Sequence, residues 1–452
     1  MSRIHTFVHL SDIHFGQEGG SAHGPHQTVR REIVRDCKER FKTLGKADGI
    51  LINGDVAFSG KKEQFDRSAE WIEELAAAVG CSVQTDVQVI PGNHDVDRSQ
   101  IDYFCETAHE RLRGIDPDKL DGELAKMAKA KEESNPLLVK LQNYRIFASR
   151  YGCDFNPVER LSWRKSYEFD ANHRIEILGL TSVLVCDGND AKDKMILGSN
   201  QYIFDRADDV EFFVMVHHPL SWFKDQHDAQ RYLDRARVLL TGHEHVQRIN
   251  KECSLGGDEF LRVYAGATNP PEIGGAYPYR YSWLAFALHI EGDKQFIRVT
   301  VYPRVWEHSR TEFVADKNLL NNNNEFTTFD LFCPSYKKPH AVAAAPPTPS
   351  RSASPVAKEG VMTEEFNAQD IQRLQYFFWS YLDEWQDRIR ILVALDLLPD
   401  TKNQPVPHTL ERLALDRVKT GDKLHALWEA VMPHVPAPKR MPNPFPASQG
   451  GK

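Results

Sequence analysis

Five short clusters of Asp, Asn and His residues, each directly behind an apolar run, constrain this chain more than any other feature. They are H-L-S-D-I-H (His9–His14), N-G-D (Asn53–Asp55), G-N-H-D (Gly92–Asp95), H-H-P (His217–Pro219) and G-H-E-H (Gly242–His245). The runs that precede or overlap them, Ile4–Leu10, Gly49–Asn53, Asp86–Ile90, Glu211–Val216 and Val238–Thr241, have the length and composition of buried strands. Thr28–Leu44 and Lys61–Val79 carry helical periodicity, the second with Phe65, Ala69, Ile72, Leu75 and Ala76 on one face. Strand–helix–strand alternation predicts a layered α/β core, and ligand sites in such sheets collect at the carboxyl ends of the strands, where every cluster falls. Further strand-like runs at Arg174–Val183, Glu259–Tyr264, Trp283–His289 and Phe296–Tyr302 predict a second sheet packed on the first.

Between Arg98 and Arg164 the rhythm breaks into a helix-prone, highly charged stretch, read as an insert beside the clusters. Ala341–Gly360 is too rich in Pro, Ala and Ser to build a core and reads as a flexible linker. Helical periodicity returns at Met362–Val435, with Phe366, Leu374, Phe378 and Leu382 able to share a face. The expected division is a first domain over 1–335 with its insert at 98–164, a linker over 336–361, a helical module over 362–435 and a disordered Pro-rich tail over 436–452. With the linker before it, the module is expected to be tethered rather than packed.

Net charge is −8 and the pI about 6.2, so bulk electrostatics give no drive toward nucleic acid or membrane. Seven dispersed cysteines without a C-x-x-C pair fit reduced, mostly buried thiols, and no run approaches the length of a membrane span. The expected location is the cytoplasm.

The clusters offer carboxylates, an amide and imidazoles but no thiolate, a donor mixture that suits Mn, Fe or Zn. Asp12 and His14 stand at i and i+2 of extended chain, so both can reach one ion. A carboxylate can bridge two ions, and Asp55 is the natural bridge because Gly54 permits close backbone approach. His23 and His26, in a Gly/Ser-rich loop, are read as ordinary exposed residues, and Glu244 as solvent-facing.

The ordered series D-x-H, G-D, G-N-H-D, H and G-H-x-H resembles the calcineurin-like metallophosphoesterase superfamily over about Ile4 to Tyr302. That resemblance implies a two-sheet sandwich flanked by helices and two divalent metal ions, Mn or Fe before Zn. It implies one metal site from Asp12, His14, Asp55 and His245 and a second from Asp55, Asn93, His217 and His243, with His217 rather than His218 in the ligand position. His94 matches the histidine that helps hold the phosphate and can protonate the leaving oxygen, and Asp95 its orienting carboxylate. The implied reaction is attack on phosphorus by a metal-bridged hydroxide.

Phosphoprotein phosphatases of that superfamily carry G-D-x-V-D-R-G and G-N-H-E, whereas this chain reads G-D-V-A-F-S-G and G-N-H-D and lacks the arginine that grips a monoester dianion. L-S-D-I-H-F-G with G-N-H-D-V-D-R looks closer to the bacterial phosphodiesterase branch, and Met195–Gly198 with Gln201 resembles a segment of its cyclic-nucleotide members. The expected substrate is a nucleotide or nucleic-acid phosphodiester. The alternatives are a DNA nuclease, which needs a basic channel from the insert, and a non-enzymatic metal-bound scaffold. The C-terminal module, with T-L-E-R-L-A-L-D-R (Thr409–Arg417) and K-L-H-A-L-W-E-A-V (Lys423–Val431), loosely resembles effector-associated or death-like adaptor domains of bacterial defence and signalling systems. A protein partner is the corresponding expectation.

Overall fold

A strand covered on both faces needs an unbroken apolar run, and the first three strands supply one. The computed structural model describes residues 3–18, 25–155, 160–205, 209–254, 257–270, 277–292, 294–320, 324–333, 366–402, 404–418 and 420–446. Strands β1 (Ile4–Leu10), β2 (Gly49–Ile52) and β3 (Val87–Val89) run parallel, joined through helices α1 (Pro25–Leu44) and α2 (Lys62–Ala78). Nearly every side chain of the three strands is buried, as parallel sheets require. The segment after β3 holds α3 (Tyr103–Gly114), α4 (Pro117–Met127) and α5 (Gln142–Ser149).

β4 (Ser162–Glu168), β5 (Arg174–Leu180), α6 (Ser199–Tyr202), β6 (Val210–Met215), α7 (Gln226–Leu233), β7 (Val238–Thr241), β8 (Arg248–Cys253) and β9 (Glu259–Tyr264) follow, with the sheet ordered β4-β5-β6-β7-β9-β8. The expected insert ends early, because Ser162–Arg164 are already the first residues of edge strand β4. β10 (Arg280–Glu291), β11 (Lys294–Glu307), β12 (Glu312–Ala315) and β13 (Thr327–Phe332) complete the strands. The runs at Trp283–His289 and Phe296–Tyr302 were expected in the second sheet. Instead β10 pairs antiparallel with β1, and β11 with β10, extending the first sheet to the order β12-β11-β10-β1-β2-β3 with β13 against β11.

The two sheets meet through aromatic side chains. Phe213 of β6 lies 4.5 Å, ring centroid to centroid, from Phe286 of β10, and Phe286 lies 5.6 Å from Phe7 of β1. All three are buried, each contributing roughly 1.5–3 kcal/mol of hydrophobic stabilisation. The chain is thus a two-sheet α/β sandwich flanked by helices, with a helical C-terminal region.

That region comprises α8 (Ala368–Tyr381), α9 (Trp385–Ala394), α10 (His408–Asp416) and α11 (Gly421–Val431) around Phe377, Phe378, Leu427 and Trp428. It is packed, not merely tethered. Ser149 Oγ and Asp154 Oδ2 lie 3.0 and 3.2 Å from His408 Nε2, Arg145 donates to Thr409 Oγ1 at 3.1 Å, and Gln372 donates to the Tyr151 carbonyl at 3.3 Å. The expected linker at 336–361 lies outside the described residues. Of the tail expected to be disordered over 436–452, the described part through Pro446 is folded onto the helices, with Phe445 buried against Phe366 and Trp428, each 5.9 Å away, and 447–452 lie outside the described residues. Five of the seven cysteines are buried, and no helix among the described residues is long and apolar enough to cross a membrane.

Candidate metal centre

The loops after β1, β2, β3, β6 and β7 converge at one rim between the sheets. Asp12 N donates to Gly54 O at 3.1 Å, and Ile13 N and His14 N donate to Asp55 O at 2.8 and 3.0 Å, so the first two clusters are fixed to one another through backbone. The third begins in a short 3-10 turn, Asn93–Asp95, where His94 N donates to Asp55 Oδ1 at 2.7 Å. Gly92 makes this approach possible: a Cβ there would sit 2.2 Å from Asp55 Oδ1.

All seven residues expected as ligands come together here. Asp55 Oδ2 stands between the two halves, 3.2 Å from His14 Nε2 and 3.3 Å from His217 Nε2. Its other oxygen is held by the His94 N–H, so a single oxygen faces both sides. Around the first half, His245 Nε2 lies 3.2 Å from Asp12 Oδ1, without the alignment of a hydrogen bond. Around the second, Asn93 Oδ1 lies 3.2 Å from His217 Nε2 and 3.0 Å from His243 Nδ1. Asp12, His14 and His245, and likewise Asp12, Asp55 and His217, bring nitrogen or oxygen donors within 4.8 Å of one another. Lone-pair donors crowded together and aimed at common points fit a pair of divalent cations.

The imidazoles are oriented from behind. His14 Nδ1–H donates to Asn269 O at 3.1 Å and His217 Nδ1–H to Asn53 O at 2.9 Å, which directs each Nε2 inward. Asn53 is fixed in turn by donating to Val216 O and Leu240 O. Asp12, His14, Asp55, His243 and His245 all hold φ between 52° and 69°, a left-handed backbone that costs non-glycine residues about 1–3 kcal/mol each. Such strain concentrated on donors points to a site held in shape by its surroundings.

Electrostatics follow from burial and proximity. Burial alone would raise the Asp55 carboxyl, but the charges of His217 and His94 and hydrogen bonds from His14 and His217 hold it well below the usual carboxylate range. Burial opposes protonation of His217, yet Asp55 and Asp12 outweigh it and lift the imidazole to about 9. Burial pushes the His94 imidazole below its ordinary value, with Asp55 opposing.

Three positions differ from expectation. Asp95 does not orient His94, whose Nδ1 lies 2.8 Å from the Phe58 carbonyl. The Asp95 carboxylate instead accepts from Ala57 N at 2.7 Å and Gly92 N at 2.8 Å, clamping the second and third loops, and burial followed by Asp55 lifts it to about 7. His26 is not an exposed loop residue: it is buried, with Nδ1 3.1 Å from the Tyr279 hydroxyl, while His23 lies outside the described residues. Glu244 is partly covered and pairs with Arg248. His218, set aside for His217, packs its ring 4.4 Å from His243, with Ser182 Oγ 2.9 Å from Nδ1, and burial holds it well below the ordinary histidine value. Its place beside His217 in H-H-P was the one available signal. The carbonyls of Asn269 and Phe58 had none.

A family model described as calcineurin-like phosphoesterase matches residues 5–247, and one described as GTPase-associated adaptor domain matches residues 370–433. Comparison with curated proteins gave no match. Among solved structures, a conserved protein from Streptococcus pneumoniae TIGR4 described as a predicted phosphoesterase is 13% identical, covering 73% of this chain and 99% of that one at a TM-score of 0.28. Wild-type Vps29 complexed with zinc from Entamoeba histolytica is 11% identical over 72% and 98% at 0.27. The purple acid phosphatase PPD1 from yellow lupin seeds is 12% identical over 70% and 53% at 0.37. Since the phosphoesterase model spans more than half of its 452 residues, the chain belongs to the calcineurin-like phosphoesterases, a family of dinuclear metal-dependent phosphoester hydrolases.

Proposed function

We propose that Asp12, His14, Asp55 and His245 hold one divalent ion, that Asp55, Asn93, His217 and His243 hold a second, and that the chain hydrolyses a nucleotide or nucleic-acid phosphodiester. Manganese or iron suits the nitrogen and oxygen donors, and the mostly buried free thiols suit the cytoplasm. Bound there, two ions would supply Lewis acidity toward the phosphoryl oxygens and a nucleophile from water near neutral pH. His94 does the proton work. Because the Phe58 carbonyl can only accept, the His94 Nδ1 carries hydrogen and Nε2 is left to face the substrate. An anionic diester beside the ring favours its protonated form, from which Nε2–H passes to the leaving oxygen.

The choice of diester over monoester is carried by the loop after Asp55. Where phosphoprotein phosphatases have an arginine this loop has Ser59, whose backbone N–H donates to Gln64 Oε1 at 2.9 Å and whose Oγ accepts from Gln64 Nε2 at 2.9 Å. Phe58 beside it presents an apolar ring. The cation at the end of that loop, Lys61, is committed to Asp97, so the loop offers no free positive charge for a second negative charge and an apolar wall for a second ester arm. A DNA nuclease is less well supported, because the basic side chains of the segment after β3 are largely spent on carboxylates: Arg111 and Lys126 pair with Glu123, Arg145 with Asp154, and Arg113 with Asp187 beyond β5.

The division into a catalytic unit over 1–335 and a helical module over 362–435 belongs to the same reading, with the module recruiting a protein partner. The test is manganese-dependent hydrolysis of bis-p-nitrophenyl phosphate against p-nitrophenyl phosphate. The diester should be turned over with the higher kcat/KM, and a strong monoester preference would overturn the reading.

A further inference from the structure

Resting on the phosphodiester reading, we infer that Phe58 and Arg98 form a subsite outside His94 for one nucleoside and the next phosphate of a linear nucleotide chain. The two side chains leave loops that are pressed together. Gly60 has φ +65°, and a Cβ on it would lie 2.4 Å from Asp97 N and 2.5 Å from Val96 C, so no other residue lets the loops meet this closely. Lys61 Nζ then spans to Asp97 Oδ1 at 2.6 Å and Ser99 Oγ at 2.7 Å, and Asn143 donates to Gly60 O at 2.9 Å. Rigid loops on both sides make the position of what they carry reproducible from molecule to molecule.

Phe58 stacks on the His94 ring at 5.3 Å and 22°, and lies 6.1 Å from the His14 ring, perpendicular to it. It remains 39% exposed, an unusual state for a phenylalanine at the mouth of a polar site. An aromatic face standing free beside the reacting centre is what a nucleobase stacks on. Arg98 is exposed, and its side chain has no ion pair or hydrogen bond among the described residues. The guanidinium runs over Gly188, where a Cβ would lie 3.9 Å from its Cζ and Nη1. The other cation on these loops, Lys61, is already committed to Asp97. Arg98 is therefore the group left to take an anionic oxygen, and guanidinium matches a phosphate in two-point geometry. A cyclic mononucleotide has only the phosphate that is cleaved and would leave Arg98 without a partner. A linear chain supplies a second.

Two readouts on the full-length protein test this. The first is kcat/KM with manganese for methyl p-nitrophenyl phosphate, which has no base, and for the dinucleotides TpT and pTpTp. Phe58→Ala should lower the ratio of TpT to the methyl ester about tenfold, with Phe58→Tyr restoring it. Arg98→Gln should lower the preference for pTpTp over TpT roughly fivefold, with Arg98→Lys partly restoring it. The second is binding of thymidine 3′,5′-bisphosphate to chelator-treated protein, followed by ligand-detected NMR, which each variant should weaken by similar factors. If the wild type cleaves no diester yet binds the bisphosphate in a Phe58- and Arg98-dependent way, the phosphodiester reading falls and the subsite stands. If diesters are cleaved but both variants scale all substrates equally and leave bisphosphate binding unchanged, the subsite falls. A wild-type preference for 3′,5′-cyclic mononucleotides over pTpTp would also overturn it.

Discussion

Replacing Asp154 by alanine should loosen the C-terminal helices from the rest of the chain by about a hundredfold. Asp154 is 7% exposed and lies at the centre of the seam. Arg145 Nε donates to its Oδ1 at 3.1 Å, Arg145 Nη2 to its Oδ2 at 3.3 Å, and His408 Nε2 lies 3.2 Å from Oδ2. Arg145 is itself 1% exposed, so the substitution strands a guanidinium in the interior with Glu132 as its remaining carboxylate. Breaking a buried pair costs about 3–5 kcal/mol, and the surviving Glu132 contact sets the lower figure. At about 1.4 kcal/mol per tenfold, 3 kcal/mol multiplies the open population by roughly a hundred. Amide exchange of α10 and α5 in the full-length protein reads this directly, since protection under fast reclosing tracks the opening equilibrium. Asp387→Ala serves as the control, because its pair with exposed Arg390 is worth about 1 kcal/mol or less. A change in α10 protection no larger than the control's would refute the claim that this seam holds the module in place.

The same seam should weaken in acid. Burial keeps His408 below the ordinary histidine value of 6.5, so the unfolded chain takes up a proton there before the folded one does, and stability falls as pH drops below about 6.5. The His408 loss should be visible in urea melts between pH 7.5 and 5, while Asp154, held below its ordinary value of 3.8 despite burial, chiefly by Arg145 and His408, adds a further loss only as pH falls below about 4. Asp55→Asn removes the oxygen common to both halves of the centre and should cut manganese content, measured by elemental analysis, and reduce kcat/KM more than a hundredfold. His94→Ala should leave metal content intact and slow turnover about 10²–10⁴-fold; metal loss with an unchanged rate would show the roles are reversed. With His217 lifted to about 9, metal must displace a proton, so manganese affinity by calorimetry should rise from pH 7 toward pH 9 and proton release should appear as a dependence on buffer ionisation heat.

Much of the site was legible because its donors are local in sequence. Asp12 with His14 and His243 with His245 are i, i+2 pairs, and each cluster follows a run whose apolar character announces a buried strand. What was not legible depends on partners far along the chain. That β10 lies against β1, Ser282 opposite His9, is a pairing no local pattern encodes. β8 was missed because most of its side chains face solvent and it has no apolar signature. The ring orientation of His14 rests on a backbone carbonyl 255 residues away, and a carbonyl is the same at every residue. Charge misled at the module. Arg145 and Asp154 lie in the stretch read as a charged insert and His408 in the module expected to be tethered, yet together they form a buried contact. In the tail, composition outweighed a single residue, Phe445, that anchors it.

Burial, strain and charge at the metal centre run against stability when the chain is considered alone. Asp12, Asp55 and Asp95 are three carboxylates at 0–1% exposure with no Lys or Arg ion-paired to any of them among the described residues. Five donors sit in backbone conformations that only glycine adopts freely. The chain balances this charge with protons, retained on His217 because Asp55 and Asp12 face it and drawn onto Asp95 because burial and Asp55 disfavour its ionised form. Neither proton has a use in packing, since apolar residues of similar volume would fill the same space at no electrostatic cost. An arrangement that is costly without external positive charge, and shaped so that one oxygen of Asp55 meets imidazoles from both sheets, fits the proposed cations, which would take the place of the proton on His217. In the proposed metal-bound form the strained loops would be held by the cations as well as by their backbone cross-links, and Asp12 and Asp55, which oppose folding of the metal-free chain, would serve as ligands.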